Sequence, residues 1–282
     1  MGAWPLGRLK MVRQRRHDGQ KGDLGLRLMS AAVLIPLGLW VVWEGGFWLI
    51  LGCGLFAGLM AYEWVRMTAS PSMKSFVSLA ILPFIAAAFG GAIVAVWVLF
   101  LSVLVASILH PTGNKRGAEA FGMLYVAGMP LALILLRDGP WDGAALALIF
   151  MGIVWGSDSA AYFSGRGFGG PLLHPDSPSK TWSGAIGAVI FSAMCGLLAS
   201  RITGGDAVLW VVAGAGTSVI AQFGDLFESS LKRSYGIKDS SGIVPGHGGL
   251  LDRVDGLGMV CVAALLVFVF APTLIGVLGL NI

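Results

Sequence analysis

The stretch "FVSLAILPFIAAAFGGAIVAVWVLFLSVLVASIL", from Phe76 to Leu109, decides what kind of protein this is. It carries no charged residue, and crossing a bilayer as a helix takes about 20 mostly apolar residues. The Gly90-Gly91 pair divides it, so we read two membrane spans, 76–90 and 92–109. The rest of the chain has the same texture. Of its 282 residues, 56% are hydrophobic and only 12% charged, with a mean hydropathy of +0.81. A water-soluble domain of this length needs many more charges to cover its surface. The composition predicts an all-α fold, a polytopic transmembrane helical bundle.

Working outward, we place nine spans: 28–43, 47–65, 76–90, 92–109, 120–136, 143–163, 183–200, 206–224 and 257–280. Residues 1–27 form a basic amino-terminal segment. The apolar run after it lacks a small-x-small cleavage site and leads into "WVVWEGGFW", so it reads as a retained helix rather than a signal peptide. About five spans fill 28–142. The remainder, 143–282, carries the two longest polar loops, 164–182 and 225–256. With the amino terminus in the cytoplasm and strict alternation, 17 of the 19 lysines and arginines fall on the cytoplasmic side. Only Arg137 and Arg201 fall opposite. The positive-inside rule therefore favours an odd number of spans and a carboxyl terminus outside. The basic residues form no face, which excludes nucleic acid as a partner. No internal repeat is present, which counts against a transporter built from two matching halves. Cys53, Cys195 and Cys261 lie far apart in apolar segments and read as small buried side chains.

Chemistry is concentrated in the loops. Between Asp225 and Asp255, 31 residues hold nine charges. If the eighth span continues as a helix through "GDLFESSLKR", then Asp225, Glu228, Ser229, Lys232 and Arg233 line one stripe. Such a stripe suits Mg2+ and phosphate together, and a salt-bridged helix end is the plainer alternative. In "GHGGLLDRVDG", glycines around His247 let main-chain N–H groups approach an anion. Asp252 and Asp255, three apart, offer oxygens suited to a hard divalent cation that bridges to phosphates. In the other loop, Asp158, Arg166 and Lys180 stand near helix ends. The string "GRGFGG" has the glycines of a dinucleotide fingerprint but no βαβ unit around it.

The run Ser229-x-Leu231-Lys232-Arg233, then Lys238-Asp239, then Pro245-x-His247-Gly248-Gly249-Leu250-x-Asp252-Arg253-x-Asp255 closely resembles the signature of the phosphatidate cytidylyltransferase (CDP-diacylglycerol synthase) family. "YEWVRM" (62–67), "YVAGMPLALILLR" (125–137), Asp158 with Tyr162 and Gly165-Arg166, and "SPSKTW" (177–182) follow in the expected order. Val244, Ser179 and Ser183 depart from the family pattern, the last two at positions where lysine and glutamate are common. The resemblance implies that CTP and phosphatidate react to give CDP-diacylglycerol and pyrophosphate, with Mg2+. It implies a catalytic set of Asp225, Ser229, Lys232, Arg233, Lys238, Asp239, His247, Asp252, Arg253 and Asp255. Asp158, Arg166, Lys180, Gly246, His247, Gly248 and Gly249 would join Ser229, Lys232 and Arg233 in holding substrate. Asp225, Asp252 and Asp255 would ligate the metal, and a monovalent cation such as K+ beside Mg2+ is left open.

The same resemblance implies a homodimer; a chain without long soluble extensions suggests a bacterial inner membrane, and because nucleotide arrives from the cytosol and lipid from the leaflet, the site is expected at the cytoplasmic boundary. The nearest alternatives are CTP-using enzymes of other lipids, such as a polyprenol kinase or an archaeal-lipid cytidylyltransferase. Transport is the more distant alternative. It predicts ionisable residues at mid-membrane, whereas here they gather at one face.

Overall fold

A computed structural model describes residues 29, 32–68, 72–109, 118–139, 142–174, 177–237, 240–241 and 249–280. The expectations at Lys238, Asp239, Val244, Gly246, His247 and Gly248 lie outside the described residues. The helices are α1 (Ala32–Glu44), α2 (Gly46–Thr68), α3 (Met73–Leu109), α4 (Ala118–Arg137), α5 (Gly143–Phe168), α6 (Trp182–Thr203), α7 (Ala207–Ser234), α8 (Leu251–Phe270) and the short α9 (Thr273–Val277). Seven of them, α2 to α8, are long and apolar enough to cross a membrane. Large apolar side chains such as Phe89, Trp97, Ile202 and Phe270 stand on the outside. Water would penalise so continuous an apolar surface, and lipid does not. The protein is a polytopic helical membrane protein.

The 76–109 stretch forms two helical arms, numbered together as α3, that meet at a kink at Gly91, where φ is 79° and ψ is −178°, in line with the division expected at Gly90-Gly91. Side chains with a Cβ rarely adopt that conformation, so glycine is required there. A Cβ on Gly90 would lie 3.0 Å from that of Val94, whereas residues four apart on an intact helix keep theirs about 5–6 Å apart. The break is therefore sharp. Ahead of it Phe76, Ala80, Phe84 and Ala87 are buried, and after it Ala95, Leu99, Ser102 and Ala106. Phe84 packs at Gly54 and Ile81 at Gly58, so the first arm runs antiparallel to α2. Leu99 in the second arm reaches Gly128 of α4. Each arm is about 27 Å long at the rise of a regular helix.

The structure departs from the sequence reading in two places, the last span and the 164–182 loop. The last span, read as 257–280, stops at Phe270 and turns into α9, whose amino-terminal cap is Pro272. The eighth continues as α7 to Ser234, so "GDLFESSLKR" is helical, as the stripe reading supposed. The 164–182 loop is helical to Phe168 and then forms a two-stranded antiparallel hairpin, β1 (Leu172–His174) and β2 (Ser177–Thr181), with Leu172 opposite Thr181 and His174 opposite Ser177. The all-α expectation misses this hairpin, whose strands are too short to show alternation.

Two ends of the bundle differ in character. At one end, Arg137 donates from Nε to Val42 O at 3.0 Å and from Nη2 to Trp43 O at 2.8 Å. It thereby caps the last carbonyls of α1, where a cation also suits the helix dipole. Trp210 Nε1 donates to Leu278 O at 2.8 Å beside the α6–α7 turn. The opposite end gathers the hairpin, the end of α7 and the start of α8.

Candidate active site

Two glycine contacts bring the acidic residues together. A Cβ on Gly224 of α7 would stand 2.7 Å from Asp255 O, and one on Gly256 of α8 3.3 Å from Ala221 O. Small residues at a helix crossing let backbones approach closely. Asp225 of α7 thus sits alongside Asp255 of α8, within hydrogen-bonding reach. One turn further along α7, Glu228 lies within reach of both Asp252 and Asp255. Glu228 and Asp255 are buried.

Two lysines face these four carboxylates. Lys232 Nζ is 2.6 Å from Asp252 Oδ1 and 3.5 Å from Glu228 Oε1. The other oxygen of Asp252 accepts the N–H of Gly249 at 3.2 Å. Lys180, at the end of β2, donates to Asp225 Oδ2. The hairpin that carries Lys180 is anchored at both sides: Thr181 caps α6 by accepting from Gly184 N at 3.2 Å, and Ser183 donates to Gly169 O. At the position where the family pattern has glutamate, Ser183 therefore ties the hairpin to the end of α5. A cleft of about 250 Å³ opens beside the Lys180–Asp225 pair, lined also by Asp158, Tyr162, Thr181 and Gln222. The lining joins these charged and polar groups to apolar Ala161, Leu173 and Ala185.

The fold therefore brings together Asp158, Lys180, Asp225, Lys232, Asp252 and Asp255. Ser229 sits half-buried on α7 beside Glu228. Gly249 donates to Asp252 as above. The three expected arginines are exposed. Arg233 is exposed and donates to Ile237 O at 3.0 Å. Arg166 is exposed, with its guanidinium 4.8 Å above the Tyr162 ring and Nη1 2.5 Å from the Tyr162 hydroxyl. That places it at the rim of the cleft. Arg253 is exposed on the first turn of α8. Among the described residues no three His, Cys, Asp or Glu side chains converge on one metal position.

Three residues at or beside the cluster were absent from the expected catalytic, substrate and metal sets. Glu228 lies on the predicted stripe, and only the contact of α7 with α8 shows that it joins the cluster. Gln222 donates to Ser218 Oγ at 3.0 Å and lines the cleft one turn before Asp225. Glu63, in "YEWVRM", is fully buried and accepts from the backbone of Leu250 and Leu251, each at 2.8 Å. A lone glutamate in an apolar span was its one sequence signal.

The model of a family described as the cytidylyltransferase family matches residues 25–271. The phosphatidate cytidylyltransferase of Brucella melitensis is 39% identical over 263 residues, covering 86% of this chain and 92% of its own. That of Pseudomonas aeruginosa is 36% identical over 258 residues, with 82% and 92% covered. That of Thermotoga maritima is 31% identical over 266 residues, with 87% and 96% covered.

Proposed function

The chain belongs to the cytidylyltransferase family, and on that premise we propose that it transfers the cytidylyl group of CTP to phosphatidate, giving CDP-diacylglycerol and pyrophosphate. A phosphate oxygen of the lipid attacks the α-phosphorus of CTP. A new phosphorus–oxygen bond forms as the bond to the β-phosphate oxygen breaks, and pyrophosphate leaves with that electron pair. The attacking oxygen is already ionised at neutral pH, so no strong base is needed. The barrier is the mutual repulsion of two anions, and lowering it is a matter of placement and charge. The observation that carries the reading is the cluster itself: the carboxylates and lysines of the motif meet at one end of the bundle, beside a cleft with both charged and apolar lining.

Lys180 and Lys232 would release their carboxylates and turn to substrate phosphates. Once they turn, Asp225, Glu228, Asp252 and Asp255 are left without their counter-charges, which suits a divalent cation. Mg2+ is usually held by one or two carboxylates plus waters and substrate phosphates. Asp225 and Asp255 provide such a pair, with Asp252 next to it, so the donor set fits without three side chains converging. When bound, the ion would neutralise charge on the nucleotide. Nothing among the described residues sets apart a place for K+.

The same reading holds that the two arms of α3 cross the membrane separately and that α1 crosses as well, which makes nine crossings. The amino terminus and the catalytic end then face the cytoplasm of a bacterial inner membrane, and the carboxyl terminus lies outside. CTP reaches the site from water and the lipid from the leaflet. Assembly as a homodimer is part of this reading by family resemblance.

The test is incorporation of radiolabel from CTP into lipid by purified protein, with phosphatidate or a polyprenyl phosphate as acceptor, with and without Mg2+. Label should enter the phosphatidate product and require Mg2+. Label entering only the polyprenyl lipid, or none entering either, would overturn the reading.

A further inference from the structure

Helix α8 is preceded by Leu250, an amino-terminal cap residue whose side chain makes no capping hydrogen bond. The first N–H groups of a helix have no partner within it, and a cap usually comes from Ser, Thr, Asp or Asn at that position. Here the partner comes from the other half of the chain. Glu63, near the end of α2, is fully buried. Its Oε1 accepts the N–H of Leu250 at 2.8 Å, and its Oε2 accepts that of Leu251 at 2.8 Å. The same carboxylate accepts the hydroxyl of Ser240 at 3.2 Å and that of Ser241. A carboxylate at a helix amino terminus also suits the dipole there.

The packing around this contact leaves no slack. A Cβ on Gly249 would stand 1.7 Å from Ser240 Oγ and 3.1 Å from Glu63 Oε2. Trp64, the next residue of α2, is itself fully buried against Gly122 of α4, where a Cβ would come within 2.1 Å of the indole. Glu63 is thus fixed from behind. The turn that it caps carries Asp252, whose Oδ2 takes the Gly249 N–H, and Asp255 follows three residues on.

We propose that Glu63 is a positioning residue: it caps α8 from across the bundle and so fixes the height and rotation at which Asp252 and Asp255 enter the cluster. It touches neither substrate in this role. The inference uses the cytidylyltransferase reading only to choose an assay. It gives the amino-terminal half, which contributes no carboxylate or lysine to the cluster described above, a share in the catalytic geometry.

The experiment compares the parental protein, Glu63→Gln and the double variant Ser240→Ala/Ser241→Ala, all purified in detergent. An amide in place of the Glu63 carboxylate keeps the shape but offers one acceptor instead of two and turns an N–H toward the helix. Parental turnover is measured first, and its absence would count against the proposed function alone. Hydrogen exchange over the peptide containing Leu250 and Leu251 is then read in every protein, independently of activity. Glu63→Gln should speed that exchange at least about tenfold, with kcat per folded molecule falling at least about tenfold while KM for CTP changes by less than about threefold. The double serine variant, which keeps the carboxylate and its two backbone partners, should fold and lose a smaller factor in kcat, in the same direction. If Glu63→Gln does not fold, that smaller loss in the serine variant becomes the deciding result, and parental kcat there refutes the idea. Unchanged exchange at Leu250 and Leu251 in folded Glu63→Gln overturns it, as does parental kcat per folded molecule.

Discussion

Lys232 sits between Asp252 and Glu228, and all three side chains are largely hidden, at 12%, 12% and 4% exposure. Truncating one partner of such a group leaves the others with uncompensated charge, which typically costs about 3–5 kcal/mol. A shape-preserving change at Asp252 separates chemistry from folding. In Asp252→Asn one oxygen remains for the Lys232 ammonium or the Gly249 N–H, while Lys232 keeps Glu228 nearby. We expect kcat for label transfer from CTP to fall at least about 100-fold, the size of effect seen when one preorganised electrostatic group is removed. The melting temperature should shift by only a few degrees. An enzyme of parental activity would remove Asp252 from the catalytic set. Charge density had marked this segment in the sequence. The pairing of Lys180 with Asp225 had left no such mark, because the two lie 45 residues apart and meet only through the hairpin.

At the level of helices, α6 packs on α5 on one side and α7 on the other, and the α6–α7 crossing is set by glycine. A Cβ on Gly214 would come 2.2 Å from Ser192 O and 3.2 Å from the Cα of Gly196. Those are backbone atoms and cannot swing aside. Gly216, two residues on, has nothing within 4 Å of such a Cβ. Gly214→Ala should therefore destabilise by about 1–3 kcal/mol, the usual cost of overpacking, and Gly216→Ala should not. Thermal melting in detergent checks both, and equal melting points would show that the crossing tolerates separation. Pushing α7 away from α6 also moves Asp225 relative to Lys180, so Gly214→Ala should lose activity ahead of stability. The glycine and alanine content of these helices was legible as close packing. Which glycine meets which backbone was not, because that depends on the rotation of each helix.

For the whole molecule, the distribution of charge and the geometry agree on two distinct faces. The end with the carboxylate cluster collects the hairpin and the ends of α5 and α7. The opposite end holds Arg137, bound to the carbonyls of α1, and Arg201 in the last turn of α6. Arg137 was an exception to the positive-inside pattern, and its capping role explains why a cation stands there. Single cysteines introduced at Arg201 and at Lys74, in a chain lacking Cys53, Cys195 and Cys261, should label differently. A membrane-impermeant thiol reagent should reach Arg201→Cys in intact cells and Lys74→Cys only after permeabilisation. The reverse order, or equal labelling, would contradict the orientation proposed here.

The amino-acid order by itself determined the solvent this protein lives in, the approximate limits of its helices and the charged segment that supplies the carboxylate cluster. Those follow from local quantities: apolar run length, the period of a helix and the spacing of charges along one strip of chain. Only the tertiary structure decided that Lys180 faces Asp225, that Glu228 joins two aspartates of another helix, and that Glu63 caps a helix 187 residues further on. Each of these depends on how helices are rotated and stacked, and the free energy of that stacking is shared among many distant contacts that no window of sequence contains.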